Sequence, residues 1–429
     1  MSQSENSSDR SEISPTVASG AMPAYLTGVG SWFGSMGLQF VMIPTLVIIT
    51  LGASATQLAI AQMTLSLPQL FLLLYAGAIA DQTNGRRSLI TIHLLAAMPP
   101  AILGWLVWTA SLAYWHMLVF AVAMGVLSAF SAPTRDALLP RVTNSDIQNA
   151  VMKAMITQFA AQILGFTLAG IMAPLAGPWA LPVMQSLALL VGLAGALALP
   201  DMPPIAHKPS EEDPEHIADH GWRTGVHIVA NSPTLYPVVL STLSVGMFFI
   251  GIFMVALPLI VRNVFDGGQL EISIMSLIFW GGTICTTMLM MRLPPIVKRG
   301  RAMVLALFVG SIMLLLIAFA PSFWIFCLLA GGWGLAAGVN MTMSRTIVQV
   351  EAPAHARARV MAIYNLGFLG AAPFGAMITG LVAEYLGPQQ ASAVFALLMI
   401  GFTIWLCLFT PVLKIGRHAS EIAATDATD

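Results

Sequence analysis

Residues 77–87 read GAIADQTNGRR, a short charged turn between two long stretches, 13–80 and 88–134, that contain no Asp, Glu, Lys or Arg. A transmembrane helix needs about 20 apolar residues, and it tolerates ionised side chains poorly near its centre. Each stretch is long enough for two such helices with a turn between them. The charged turn is therefore predicted to join the second and third spans of a membrane protein.

The rest of the chain continues this pattern. Two further uncharged stretches are long enough for two spans and four are long enough for one: 154–200, 302–344, 224–261, 272–291, 360–383 and 385–413. Together the stretches predict twelve spans. Only 9% of the residues are charged, against roughly 25% in soluble domains. The mean hydropathy is +0.83, so the composition excludes a water-soluble enzyme.

The basic residues predict the orientation. On the twelve-span pattern, every Lys and Arg except Arg262 falls in a tail or loop on the same side of the membrane. Basic residues are in excess on the cytoplasmic side of membrane proteins, so both termini are predicted to be cytoplasmic. The expected location is the bacterial inner membrane, with the lipid bilayer as surrounding partner. A net charge of -1 gives no field that would attract nucleic acid, which excludes that partner.

The longest hydrophilic stretch divides the chain into two halves. We predict a disordered cytoplasmic tail (1–21), a six-helix bundle (22–200), a cytoplasmic linker (201–233), a second six-helix bundle (234–413) and a cytoplasmic C-terminal tail (414–429). The linker carries His216 and His220 among carboxylates. This spacing suits either a solvated acidic linker or a metal-sensing loop.

Special residues recur in the two halves at an offset of 210 residues. The aligned pairs are Arg135 with Arg345, Gly165 with Gly375, and Gly170 with Gly380. They indicate a duplicated unit, a common transporter design in which the working site lies between the halves. The glycines are expected to allow close helix packing. The predicted fold class is an all-α membrane protein with twelve transmembrane helices in two six-helix bundles related by pseudo-two-fold symmetry.

The turn at 77–87 resembles the signature loop of the major facilitator superfamily, in which Gly-x-x-x-Asp precedes paired basic residues between spans two and three. The stretches 133–142 (PTRDALLPRV) and 357–364 (RARVMAIY) are similar to the branch that holds the enterobactin and macrolide exporters. The resemblance covers about residues 24–413. It implies the major facilitator fold and a transporter, and it says little about the substrate.

The resemblance also implies a cytoplasmic latch. Asp81, at the end of span two, would pair with Arg135 at the end of span four and face a helix N-terminus of the opposite bundle, where the dipole favours an anion. Such a contact exists in only one arrangement of the bundles, so it would hold the outward-open state. The predicted latch residues are Gly77, Asp81, Arg86, Arg87, Arg135 and Arg345.

The predicted spans hold no Asp, Glu, Lys or Arg deep inside, and the histidines are interpreted as lying in tails, loops or near span ends. Intramembrane enzyme chemistry is thereby disfavoured, and no organic cofactor or metal is expected. If protons drive transport, the titrating group must lie at a rim of the membrane. The candidates are Asp81, Asp136, Glu384 and the pair Asp266 and Glu271.

Uncharged polar and aromatic residues are the candidates for a substrate cavity. Ser31, Ser35 and Gln39 form one stripe along span one. The expected lining residues are Gln39, Gln69, Gln158, Gln162, Phe248, Trp280, Tyr364 and Asn365. A neutral wall of amides, aromatics and methionines suits an amphiphilic, weakly charged ligand. Each amide would equally suit a hydrogen bond to a neighbouring helix.

The combined expectation is a monomeric secondary active transporter that exports small amphiphilic molecules of the drug, macrolide or siderophore type by alternating access. Two alternatives share the fold and the neutral cavity. One is a transporter of lysophospholipids or other lipids, and the other is a solute importer. The sequence leaves the substrate, the coupling ion and the direction of transport open.

Overall fold

The computed structural model describes residues 20–143, 147–203, 222–294, 296–353 and 356–416, and within them the regular structure is helical, with no strand. Thirteen helices follow in chain order: α1 (Ala21–Thr50), α2 (Ala55–Gln82), α3 (Gly85–Trp108), α4 (Tyr114–Leu138), α5 (Ile147–Ala176), α6 (Ala180–Ala198), α7 (Trp222–Asn231), α8 (Leu235–Asn263), α9 (Gln269–Arg292), α10 (Arg299–Ile317), α11 (Phe323–Glu351), α12 (Arg357–Leu386) and α13 (Pro388–Phe409).

Eleven of these helices are long and apolar enough to cross a membrane, counted over the described residues. The prediction of an all-helical, multi-pass membrane protein is therefore confirmed. Helix α2 is 28 residues long but is not among the eleven. The count covers the described residues only, and several side chains of α2 fall outside the described part of the structure.

The contacts among helices repeat between the halves. In the first half α1 packs on α5 and α6, α2 on α4, and α3 on α4 and α6. In the second half α8 packs on α12, α9 on α11, and α10 on α11 and α13. The halves meet through α2 with α12 and through α5 with α9. The helices of each half therefore occupy equivalent places around the contact between the halves.

Within each half, the first and fifth helices cross with their backbones in contact. A Cβ atom on Gly165 of α5 would clash with the carbonyl oxygen of Gly34 on α1. A Cβ atom on Gly375 of α12 would clash with the carbonyl oxygens of Gly246 and Met247 on α8. Only glycine allows so close an approach, and small residues serve this purpose in membrane helices generally.

The second glycine of each aligned pair lies at the contact between the halves. Gly170 on α5 faces Ser273 on α9, whose Cβ atom would be 2.9 Å from a Cβ on the glycine. Gly380 on α12 faces Ala59 on α2 even more closely. Both contacts lie towards the face of the molecule that carries the α1–α2 turn. We call this face the distal face, and the face that carries the α2–α3 turn the proximal face.

The predicted linker, 201–233, is partly helical. Its last residues form α7, which packs against α12 and buries Val229. This end of the linker therefore belongs to the packed second half, because an amphipathic segment gains by covering an apolar helix face. The predicted tail 1–21 lies almost entirely outside the described residues, as does the segment with His216 and His220.

Candidate functional site

A cavity of about 280 Å³ lies between the two halves. One wall comes from α1, α2 and α4, and the other comes from α8 to α12. Its principal lining residues are Met36, Gln39, Phe40, Gln62, Ser66, Gln69, Ser128, Phe249, Phe253, Met254, Phe279, Trp280, Thr283, Trp333, Asn340, Met341 and Phe368. None of the described lining residues carries an ionisable side chain, so the cavity suits ligands that are neutral or only weakly charged.

Aromatic rings dominate the wall. The ring centroid of Phe253 lies 4.5 Å from that of Phe279, 6.1 Å from that of Trp280 and 6.1 Å from that of Phe40 on the opposite half. The Phe279 and Trp333 centroids are 4.9 Å apart. Such tilted and edge-on pairs are worth about 0.5–1.5 kcal/mol each beyond area burial. The rings therefore form a connected surface against which a flat apolar ligand can pack.

The polar atoms of the wall fall into two groups. Gln39 and Gln62 are used internally: Gln39 Oε1 accepts a hydrogen bond from Gln185 at 2.8 Å, and Gln62 Nε2 donates to the carbonyl of Met254 at 3.4 Å. The indole nitrogens of Trp280 and Trp333 and the Asn340 oxygen are buried without a partner. An unpaired buried polar atom costs about 1–3 kcal/mol, which a ligand that paired it would recover.

Helix α8 reaches the cavity through two π-helical segments, Val245–Ile250 and Ile252–Ala256. They place Phe249, Phe253 and Met254 in the wall. A π-helical turn changes the angle at which side chains leave the helix, and such turns are frequent at functional sites. The Met254 carbonyl that accepts from Gln62 lies in the second segment, so this irregular stretch also joins the halves.

The structure places three of the predicted lining residues in the wall, namely Gln39, Gln69 and Trp280. It does not place Gln158 and Gln162 there, because the turn of α5 that carries them packs on the glycines of α1. The carbonyl oxygen of Gln162 lies where a Cβ of Gly37 would be. The expectation that α5 lines the cavity through these two amides is corrected accordingly.

The remaining predicted lining residues also lie off the cavity. Phe248 packs on Phe395, with ring centroids 6.0 Å apart. The Tyr364 hydroxyl is 2.9 Å from Ser344 Oγ, and Asn365 is exposed. The residues that sequence reasoning missed are chiefly Phe40, Phe249, Phe253, Phe279, Trp333 and Asn340. A signal existed in the four-residue spacing of Phe249 and Phe253, which places two rings on one helix face.

The predicted latch residues have contacts of their own. Arg135 is buried, donates to Ser131 Oγ at 2.6 Å, and places its guanidinium 5.3 Å from the Trp32 ring centroid and 5.0 Å from that of Phe33. Cation–π contacts of this kind hold the charge inside the first half. The side chain of Asp81 and the burial of Gly77 lie outside the described part of the structure, so the pairing of Asp81 with Arg135 stays a prediction.

The other basic residues of the predicted latch lie at the proximal face. Arg86 donates to the carbonyl oxygen of Leu197 at 2.9 Å, which ties the start of α3 to the end of α6. Arg87 and Arg345 are exposed. Arg345, the counterpart of Arg135, thus differs from it in burial, and the two halves are not equivalent at this face.

One histidine contradicts the expectation that all of them lie in tails, loops or near span ends. His93 is fully buried within α3, among α1 and α6. It lies two turns inside the helix, where the surrounding side chains exclude water. The chain therefore has a titratable group in the interior of its first half.

The distal face is closed by hydrogen bonds between the halves. A carboxylate oxygen of Glu384, near the end of α12, accepts from the backbone N–H of Thr56 in the first turn of α2 at 2.9 Å. Gln269 Nε2, at the start of α9, donates to the Ala169 carbonyl at 2.9 Å. The Glu384 carboxylate also meets the positive end of the α2 dipole. These contacts close the cavity towards the distal side.

Replacing Glu384 by Ala should weaken this closure. A helix cap is worth about 0.5–2 kcal/mol, so the population open at the distal face should rise roughly 2- to 30-fold. The measurement is the rate at which a cysteine at the lining residue Ile43, in a cysteine-free background, reacts with an impermeant maleimide added from the distal side. Glu271→Ala is the matched control, because Glu271 caps its own helix through Gly268 N–H at 2.7 Å. Equal rates in the two variants would contradict the assignment.

Comparison with known proteins identifies the class. The chain belongs to the transmembrane secretion effector family of the major facilitator superfamily, whose model matches residues 23–423. It is similar to the multidrug efflux pump Tap of Mycobacterium tuberculosis, with 26% identity over 375 residues that cover 84% of this chain and 86% of the pump. It is also similar to the staphyloferrin A transporter of Staphylococcus aureus, with 31% identity over 123 residues, 28% of this chain and 29% of the transporter.

Solved structures show the same fold. The nucleoside transporter NupG superposes with a TM-score of 0.70 at 12% identity, covering 91% of this chain and 100% of NupG. A bacterial homolog to the human lysosomal transporter Spinster superposes with a TM-score of 0.67 at 16% identity, covering 93% and 98%. The expectation of a transporter and not an enzyme is confirmed by the family and its members.

Proposed function

We propose that the protein is a secondary active transporter that exports small amphiphilic molecules of the drug, macrolide or siderophore type. The observation that carries the proposal is the neutral, aromatic cavity between the halves, closed at the distal face by hydrogen bonds. An apolar wall with a few unpaired polar atoms binds amphiphiles of differing shape. The relation to an efflux pump supports export as the direction.

The proposed architecture has twelve spans in two six-helix bundles related by a pseudo-two-fold axis, with α2 as the twelfth span. The repeated helix contacts and the matching glycine crossings support it. Gln62 and Gln69 of α2 line the cavity, so their amides lie away from lipid, as a span requires. In this arrangement, rocking of the bundles about the cavity gives alternating access. The transporter acts as a monomer and holds no organic cofactor.

The proposed location is the bacterial inner membrane, with both termini and the proximal face in the cytoplasm. Reporter fusions after residue 429 and within residues 205–220 should report a cytoplasmic position, and fusions near Gly267 a periplasmic one, because nearly all basic residues lie on the proximal side. A periplasmic signal from the C-terminal fusion would contradict this topology.

Asp81→Asn tests the proposed latch at the proximal face. The change removes the charge at nearly constant volume, so it should favour the arrangement open to the cytoplasm and lower turnover more than substrate affinity. Transport rates and binding constants measured on the same preparation separate the two effects. Asp201→Asn is the control, a carboxylate on the same face that accepts from Asn84 at 2.7 Å. Wild-type turnover in Asp81→Asn would mean that the loop anchors topology only.

Transport by the purified protein tests the function itself. Proteoliposomes loaded with unlabelled probe should exchange it for radiolabelled probe added outside, with chloramphenicol, a macrolide and a lysophospholipid tested separately. Exchange of chloramphenicol or the macrolide supports the proposal. Exchange of the lysophospholipid alone would identify a lipid transporter. No exchange of any probe above protein-free vesicles would overturn the proposed function.

A further inference from the structure

A buried imidazole in the first half has a free lone pair. His93, on α3, is 0% exposed, and its Nδ1 lies 2.9 Å from the Leu89 carbonyl oxygen. A ring nitrogen beside a carbonyl carries the proton, so Nδ1–H is the donor and Nε2 is left as the acceptor. Nε2 is buried and forms no hydrogen bond of normal geometry, although the backbone of Gly28 on α1 lies close enough to interact with the ring. An unpaired base inside an apolar bundle costs stability, so its presence calls for an explanation such as a functional role.

A second unpaired polar group adjoins it. Ser31, on α1, is 8% exposed, and its hydroxyl is also buried without a partner. A Cβ atom on Gly192 of α6 would clash with both Ser31 Oγ and the His93 ring. The hydroxyl and the imidazole therefore converge on the same glycine, at a place where three helices meet. A side chain at position 192 would separate them.

A stripe of polar residues leads from this pair to the cavity. Ser31, Ser35 and Gln39 recur one helical turn apart on α1, and all three are buried. Gln39 lines the cavity wall. Successive members are about 6 Å apart along the axis, a gap that one bridging water would span, and a water at each step would complete a path for a proton. The buried polar residues of α1 thus lead from the cavity wall towards His93.

The charges around His93 come mainly from α4. Arg135 interacts electrostatically with the imidazole, and Trp32 packs on both groups, with its ring centroid 5.9 Å from that of His93. On α1, the Tyr25 hydroxyl donates to the Arg135 carbonyl, and Asp136 follows Arg135 in sequence. Helix α3 itself contributes Arg86 and Arg87 at its start, and Ala180–Ala198 of α6 has no ionisable residue. Arg135 is therefore the charge that a proton on His93 would disturb most.

We propose that His93, together with the Ser31 hydroxyl that meets it beside Gly192, is the proton-binding site of proton-coupled transport. This inference rests on the proposed function. A proton from distal water passes through the cavity and along Gln39, Ser35 and Ser31 to the Nε2 lone pair. The proton then leaves Nε2 and returns to water at the proximal face, past Arg135. The only bond that forms and breaks is the one between Nε2 and the proton. The second positive charge beside Arg135 favours displacement of the guanidinium from Trp32, which links protonation to the proposed latch.

His93→Asn tests the site with little disturbance, because the Asn amide keeps a donor for the Leu89 carbonyl but cannot bind a proton at neutral pH. The assay is the proteoliposome exchange described above, compared with accumulation of the same uncharged probe, chloramphenicol, under an imposed pH gradient. Wild-type protein should show both. His93→Asn should exchange at near the wild-type rate and lose at least tenfold in gradient-driven accumulation. His116→Asn is the control, since that imidazole lies outside the Gly192 contact, accepts from Ala113 N–H at 2.9 Å and packs against Trp115.

Direct proton counting provides a second readout that does not depend on transport. In unbuffered detergent solution, the dye-reported proton change on adding the probe should be present in wild type and His116→Asn and absent in His93→Asn. Ser31→Ala should reduce it as well, and this smaller change tests the site if His93→Asn melts well below wild type. Gradient-driven accumulation by His93→Asn equal to wild type, or a wild-type protein that exchanges the probe without responding to the gradient, would overturn the assignment. Absence of probe exchange by the wild-type protein would instead contradict the proposed function.

Discussion

Gly165→Val should leave little folded protein in the membrane. The first atom of the new side chain would clash with the Gly34 carbonyl oxygen and press on the backbone of Gly37. Backbone cannot rotate away as a side chain would, so α1 and α5 must separate along their whole contact. Overpacking usually costs about 1–3 kcal/mol, and a clash with the backbone of two residues of α1 belongs at or above the upper end. Yield of monodisperse protein and its melting temperature measure the loss.

The same test can be repeated in the second half of the chain, and a glycine on the outer surface of α13 serves as the control. Gly375→Val should behave like Gly165→Val, because its Cβ meets the carbonyl oxygens of Gly246 and Met247. Gly401→Val should be near wild type, because nothing lies within 4 Å of a Cβ at that position on α13. Stable, well-folded Gly165→Val and Gly375→Val proteins would show that the helices do not cross as closely as described.

Trp280→Ala should lower the affinity for exported probes about tenfold or more. The indole contacts Phe40, Phe253 and Phe279 at centroid distances of 6.2, 6.1 and 5.8 Å, so its loss removes one side of the aromatic wall. A tenfold change corresponds to about 1.4 kcal/mol, within the range for one buried aromatic contact with a ligand. Binding is measured by tryptophan-independent methods such as scintillation proximity.

The matched control for Trp280 is Trp105, which is 61% exposed on the outer surface of α3. Trp105→Ala should leave probe affinity unchanged. Equal losses in the two variants would mean that the cavity is not where the probe binds.

The amides separate binding from packing in the same assay. Gln69 lies in the cavity wall. Gln69→Ala should lower the affinity for probes that form hydrogen bonds more than the affinity for probes that do not, because a polar group left unpaired in a desolvated site is costly. Gln158→Ala and Gln162→Ala should affect all probes alike, in step with the melting temperature. If Gln158→Ala or Gln162→Ala lowered the affinity for some probes and not others, these amides would have to be counted among the lining residues.

The sequence predicted the helical, multi-pass character well because lipid excludes ionised groups from the centre of a span. Asp81 at the end of α2 and Arg86 and Arg87 at the start of α3 therefore lie at helix ends on either side of the turn, as expected. The aligned glycines could also be anticipated, since close backbone contacts leave glycine as the fitting residue and a duplicated unit repeats them.

The direction in which each helix faces could not be predicted as well. In a membrane the lipid-facing and core-facing sides of a helix are both apolar, so periodicity does not distinguish them. Gln158 and Gln162 share a face with the α1 contact, and Trp280 and Trp333 share one with the cavity, although all four lie in apolar helices. His93 was misplaced for the same reason, because neither its position along α3 nor its neighbours in sequence reveal that α6 covers it.

The central claim is that the two halves move about the cavity to expose it on alternate faces. Paired spin labels test it directly in a cysteine-free background: Ala110 with Gln390 across the distal face, and Leu197 with Lys298 across the proximal face, all four positions exposed. Distances are measured by double electron–electron resonance without probe, with saturating probe, and at acidic and alkaline pH. The account predicts two populations in which the distal distance lengthens as the proximal distance shortens. A single population unchanged in every condition, or two distances that change together, would contradict it.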